Sequence, residues 1–121
     1  MPRAVLAESA LHPSIRAVVA GHHAGLVAEV QQAVARDAVV VVGMAQNPWP
    51  QKARRALNAA GVAHTYLAYG SYFSRWRERN ALKLWTGWPT FPMVFVKGQL
   101  VGGATDLDKL IASGELRRLL G

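Results

Sequence analysis

The chain of 121 residues contains no cysteine. That removes disulfides, thiolate-bound metals and thiol nucleophiles together, while leaving the redox state of the compartment open. Acidic residues are also scarce: 7 Asp and Glu face 14 Lys and Arg, a formal net charge of +7. An anionic partner fits that balance, whether a carboxylate-bearing small molecule, an acidic protein or nucleic acid, and so does plain solubility. No run of about 18 apolar residues is present to span a bilayer, and the start "MPRAVLAESALHPSIR" lacks the cationic head, apolar stretch and cleavage site of a secretory signal. The default expectation is a cytoplasmic protein without a membrane partner. No low-complexity tract or internal repeat occurs, and 51% hydrophobic against 17% charged residues is the balance of one compact domain with a real core.

What is present is a strand running into a helix. "AVVVV", Ala38 to Val42, is a β-branched run of the kind buried on both faces of a sheet. In "QNPWPQKARRALNAAG", Asn47 is a good N-cap and Pro48 falls at the first helical position, where its missing N–H costs nothing. Pro50 still lies in the first turn, and Gly61 ends the helix.

Before that strand, residues 1–13 read as a loose leader, Ile15, Val18 and Val19 suggest a short helix, and Leu26, Val27, Val30 and Val34 make one apolar helical stripe. After it come a strand over 62–68 and a helix in "SYFSRWRERNALKLW" with Tyr72, Trp76 and Leu84 facing inward. On that helix Arg75, Arg79 and Lys83 recur every four residues as a basic stripe. Then follow a hairpin turning at Lys97-Gly98 and terminal helices opened by a capping box of Thr105 and Asp108. The expected organisation is a leader and packed helix over 1–37 and an α/β domain over 38–121. The β-α-β unit and the later hairpin give a four-stranded mixed sheet with helices on both faces.

This order, together with three local segments, resembles the glutaredoxins over roughly residues 38–120, nearest to their monothiol branch. "GMAQNPWPQKARRAL" has the layout of the segment in which C-P-Y-C or a related motif follows the first strand. "WPTFPMVFVKGQLVGG" is similar to the T-V-P or W-P-T-I-P stretch, whose proline is cis, with its double glycine. "RNALKLWTGWPTFP" and "SGEL" are similar to segments of the monothiol glutaredoxins. The resemblance implies a thioredoxin-like three-layer sandwich with an N-terminal helical extension. It also implies a groove for glutathione, with Thr90, Phe91 and Pro92 holding its backbone and Gly103, Ala104, Thr105 and Asp106 its γ-glutamyl end. Trp49 would wall that groove, and Arg79 and Lys83 would approach the glycyl carboxylate.

The chemistry departs from the pattern. Asn47 stands where the family's nucleophilic cysteine belongs and Pro50 where the second belongs, Met44 replaces a common lysine, and Thr105 a frequent acid. A carboxamide is neither an ionisable nucleophile nor a redox centre, so thiol-disulfide exchange and cysteine ligation of an iron-sulfur cluster do not carry over. The expectation is a cysteine-free, redox-inactive homologue with no required cofactor, glutathione being the candidate small ligand and an extended peptide segment the alternative.

Blander readings stand beside these. Asn47-Pro48 is fully explained as a helix start, and the basic stripe as a solvated face. Trp76, Trp85 and Trp88 read as core and groove structure, and no R-G-F-G-F-like run supports nucleic-acid binding. His22 and His23 would point about 100° apart on a helix, and His12 and His64 add no ligand spacing, so no metal site is expected. Ser71, Ser74 and Thr90 are hydroxyls without an evident base. Three functions are thus open: a binding groove without redox chemistry, a scaffold using the cis-proline edge, and a glutathione-dependent enzyme such as a transferase. Oligomeric state is not legible.

Overall fold

The fold is that of a computed structural model, which describes residues 2–71 and 73–121. Its elements are helices α1 (Pro13–Gly21) and α2 (Ala24–Arg36), strand β1 (Val39–Gly43), helix α3 (Pro48–Ala59) and strand β2 (Thr65–Ala68). They continue with α4 (Trp76–Thr86), β3 (Met93–Val96), β4 (Gln99–Gly102), α5 (Ala104–Ser113) and α6 (Glu115–Leu120). Residues Glu8–Ala10 form a 3-10 turn, and His12 caps α1, its Nδ1 accepting from the Ser14 N–H at 3.1 Å.

The sheet order is β2-β1-β3-β4, with β1 and β2 parallel and the other neighbours antiparallel. β1 is central and buried along its whole length, as its unbroken valine run requires. Its alternate side chains serve two cores. Val40 and Val42 join Met93 and Phe95 against Val30 of α2 and Leu82 of α4. Val39 and Val41 join Val94 and Val96 against Leu57 of α3, Leu107 of α5 and Leu116 of α6. Each fully buried aliphatic side chain contributes roughly 1.5–3 kcal/mol, so this two-faced sheet carries most of the fold. The arrangement is the three-layer sandwich expected, with extra helices at the N-terminus.

The β3–β4 hairpin turns at Lys97 and Gly98, which have φ of 50° and 83°, the left-handed pair of a tight two-residue turn. At the end of β1, Gly43 lets the strand approach α3: a Cβ there would lie 2.7 Å from the Cβ of Pro50. That contact sets the height of the α3 start above the sheet.

Four details differ from expectation. β2 begins at Thr65 rather than 62, because residues 62–64 serve as the connection from α3. α4 begins at Trp76, since Ser71 and Ser74 close a turn first, and Tyr72 lies outside the described residues. Trp76 and Leu84 do not face inward: they are 54% and 74% exposed, while Arg79, Ala81 and Leu82 are buried. The buried face of α4 is phased on Leu82, and the aromatic at its first turn falls outside it. Finally, the cap of α5 lies at Gly103 and Asp106, not at Thr105 and Asp108, with Asp106 Oδ2 accepting from the Gly103 N–H at 2.9 Å. The helix therefore starts two residues earlier than its Thr suggests.

Candidate functional site

Two chain segments meet at the start of α3. Asn47 caps the helix, its Oδ1 accepting from the Trp49 N–H at 3.0 Å, and its Nδ2 donates to the Phe91 carbonyl at 3.5 Å. The same carboxamide thus ties α3 to the loop that enters β3. The Phe91–Pro92 peptide bond is cis, in line with the resemblance.

Beside this junction is an open groove of about 220 Å³, lined by Trp49, Trp88, Thr90, Phe91, Pro92, Gly103, Ala104, Thr105 and Asp106. This is below the roughly 300–1,000 Å³ of pockets that enclose a drug-sized ligand, and suits a short length of extended chain. Its far wall is the first turn of α5. Gly102, at φ 116°, makes that wall possible: a Cβ there would fall 2.5 Å from Asp106 Oδ2.

Eight of the ten residues expected at a ligand site line this one groove: Trp49, Thr90, Phe91, Pro92, Gly103, Ala104, Thr105 and Asp106. Arg79 does not. Its side chain is buried, the residue being 7% exposed, and Nη1 donates to the Tyr69 carbonyl at 3.0 Å and the Ser74 carbonyl at 2.5 Å. Burial lowers its pKa from the ordinary arginine value, which still leaves it charged at neutral pH. Lys83, half-buried, does not line the groove either; its Nζ lies 5.8 Å from the Phe91 ring centre. Met44 is buried and offers no charge.

Two contributors were not among the expected ligand-site residues, although Trp88 was read from the sequence as core and groove structure. Trp88 lines the groove, and its buried indole N–H has no partner among the described residues. Lys52 places Nζ 4.2 Å from the centre of the Trp49 ring, a cation–π contact that the i, i+3 spacing on α3 could have flagged. Electrostatically, the groove's walls carry one acid, Asp106, already held by the Gly103 N–H, and no cation, while two lysines flank its aromatic walls.

The remaining chemistry-bearing groups do not assemble. Ser71 and Ser74 bond to each other in an exposed turn. Among the described residues no three His, Asp or Glu side chains come together as metal ligands, and no helix is long and apolar enough to cross a membrane.

Comparison with known proteins places this geometry. The family model for Glutaredoxin matches residues 39–101. A "Glutaredoxin-like protein" of Dictyostelium discoideum is 45% identical over 95 residues, 78% of this chain and 77% of the relative. The mitochondrial monothiol glutaredoxin-5 of Schizosaccharomyces pombe is 31% identical over 96 residues, covering 75% of this chain and 66% of its own. Among solved structures, oxidized glutaredoxin 2 of Chlamydomonas reinhardtii superposes with a TM-score of 0.68 at 31% identity, covering 81% of this chain and 92% of that one. A buckwheat glutaredoxin–glutathione complex gives 0.71 at 20% identity over 83% and 91%, a likeness of fold.

Proposed function

The chain belongs to the glutaredoxin family, and from that premise we propose that it binds a glutathione-like extended ligand in its groove without exchanging electrons with it. One observation carries this reading: eight of the residues expected to hold such a ligand line one groove, beside the helix start capped by Asn47, which the resemblance aligns with the family's cysteine. Disulfide exchange needs a thiolate stabilised at the helix start, and a neutral carboxamide that accepts the Trp49 N–H supplies neither nucleophile nor electron pair at a redox potential of use.

The donor set likewise does not fit an iron-sulfur cluster, whose irons require thiolate ligands that this chain cannot offer. Glutathione is the small molecule whose chemistry the groove suits, and no cofactor is needed for this role. A cytoplasmic place of action belongs to the same proposal.

Titrating reduced glutathione into labelled protein and following amide chemical shifts tests it. Saturable shifts at Trp49, Thr90, Phe91 and Gly103 to Asp106 are expected with a dissociation constant on the order of 0.1–10 mM, about 3–5 kcal/mol of binding. Flat shifts up to tens of millimolar would overturn glutathione as the groove's ligand. A second reading, in which the groove docks a protein segment, is favoured by Trp49, 48% exposed on one wall.

A further inference from the structure

Exposed apolar side chains are not spread evenly over the molecule. Among the described residues nine large ones stand exposed, and eight of them belong to two segments. Five lie in the N-terminal extension before α2, and three, Phe73, Trp76 and Leu84, lie on or just before α4. The two segments meet: Val18, Val19, Leu84 and Trp85 help to wall an open cavity of about 600 Å³ beside α2, and Arg3 Nη1 donates to the Thr86 carbonyl at 2.8 Å. Helix α1 buries none of its nine residues, although Ile15, Val18 and Val19 give it an apolar stripe. Such a stripe, in a helix too short to be stable by itself, calls for an apolar surface that this chain's own core does not supply.

Cations are interleaved with this surface. Arg3, Arg16 and Arg77 lie on the same two segments with no carboxylate partner among the described residues. Arg16 Nε donates to the Leu11 carbonyl at 2.9 Å, which leaves its charge unneutralised, and Arg77 stands 5.2 Å from the centre of the Trp76 ring. The acids of the two segments are Glu8 and Glu78, and Glu78 is paired with Arg75. A second copy of this chain would bring the same cations into the contact, and the net charge of +7 opposes that. An anionic lipid surface satisfies both features. Phe73, 90% exposed, and Trp76 are side chains of the kind that settle at the headgroup level, while arginine lays its stem on apolar surface and keeps its head in water or on phosphate. These apolar groups project from a turn and two helices, and a fluid surface accommodates them without the matched pockets that a folded partner would need. The cavity beside Val18 and Leu84 is large enough to admit part of an acyl chain.

We propose that the α1–α4 face rests on an anionic phospholipid surface, with Val18, Phe73, Trp76 and Leu84 at the acyl boundary and Arg16 and Arg77 on the phosphates. This is peripheral attachment by a few apolar side chains plus charge, not a span of the bilayer. It is independent of the groove, whose walls come from the start of α3, the cis-proline loop and the start of α5.

Flotation of the full chain with vesicles tests it, using phosphatidylcholine alone and phosphatidylcholine with phosphatidylglycerol in equal parts. Partitioning into the mixed vesicles is expected to exceed that into phosphatidylcholine by at least about tenfold. Leu84→Lys adds a positive charge while removing apolar contact, and should weaken binding to the mixed vesicles by about fivefold or more, as should Phe73→Ser. Both positions are exposed, so the variants keep the native fold, which their amide spectra check. No flotation with the mixed vesicles overturns the proposal. So does equal or stronger binding of Leu84→Lys, which would reduce the contact to charge alone. A free chain that sediments as a dimer, dissociated by Leu84→Lys, would assign the face to a second copy and overturn the lipid assignment.

Discussion

Asn47 holds the Phe91 carbonyl at 3.5 Å through Nδ2 while its Oδ1 caps α3 at the Trp49 N–H. Asn47 is thus the structural link between the helix start and the cis-proline loop.

Asn47→Cys should accordingly restore part of the chemistry. A thiol at the first turn of α3 is expected to ionise below the ordinary cysteine value of about 8.5, because the helix N-terminus favours the anion. With oxidised glutathione the variant should form one mixed disulfide, read by intact-mass spectrometry, and the native chain none. Loss of the Asn cap should cost about 1 kcal/mol in urea unfolding. A variant thiol that alkylates with an unshifted pH profile and takes up no glutathione would show that the helix start is not poised for a thiolate.

The same junction shows why so much of the fold was legible. β1 and the α3 start are written in local chemistry: a valine run, a capping Asn and a proline at the first helical position. The groove was legible through segments around Phe91 and Gly103 whose spacing resembles a known family. Arg79 was not, because the Tyr69 and Ser74 carbonyls that bury it are brought together only by a turn before α4. Nor was the α5 cap, because Gly103 has no side chain to announce it and Thr105 resembles a better candidate. Trp76 and Leu84 misled for a related reason: size suggested burial, but the phase of α4 is set by Leu82.

Arg79→Met should be destabilising in a way that a surface arginine would not be. It removes a buried guanidinium from two carbonyls and leaves both acceptors unpaired. A loss of about 2–4 kcal/mol in urea unfolding is expected, since hydrogen bonds to charged groups are worth roughly 1.5–3 kcal/mol each and do not add fully. Ligand-induced shifts in the groove should keep their pattern at concentrations of urea where the variant is folded. A change below about 0.5 kcal/mol would mean that Arg79 is a solvated surface residue after all.

Tyr69 gives the fold a predictable alkaline limit. Its buried hydroxyl donates to Glu29 Oε1 at 2.7 Å, joining α2 to the segment after β2. Burial, then the hydrogen bond to Glu29 and the charge of Glu29, push its pKa well above the ordinary tyrosine value. The folded value being the higher one, this contribution is fully present below about pH 10, where the unfolded chain also keeps the proton, and declines as pH rises above it. Unfolding free energy measured from about pH 8 to 11 should fall above about pH 10 more steeply in the native chain than in Tyr69→Phe. At about pH 8 that variant should be less stable by about 1–2 kcal/mol. Parallel curves for the two proteins would exclude Tyr69 as the titrating group.

Thr105→Asp probes the α5 end of the groove. Thr105 is exposed at the second residue of α5, beside Asp106, whose Oδ2 is engaged by the Gly103 N–H. A second carboxylate there is stabilised by the helix N-terminus and gives an α-ammonium an acceptor that Asp106 does not fully provide. One charge-assisted hydrogen bond at an exposed site should tighten glutathione by about tenfold, or about 1.4 kcal/mol, and leave an N-acetylated peptide unaffected or slightly weakened. The comparison separates the two ends, because acetylation removes the only cation of the ligand that the new acid could meet. Equal tightening of both ligands would show that the introduced carboxylate acts through the helix rather than on the ammonium.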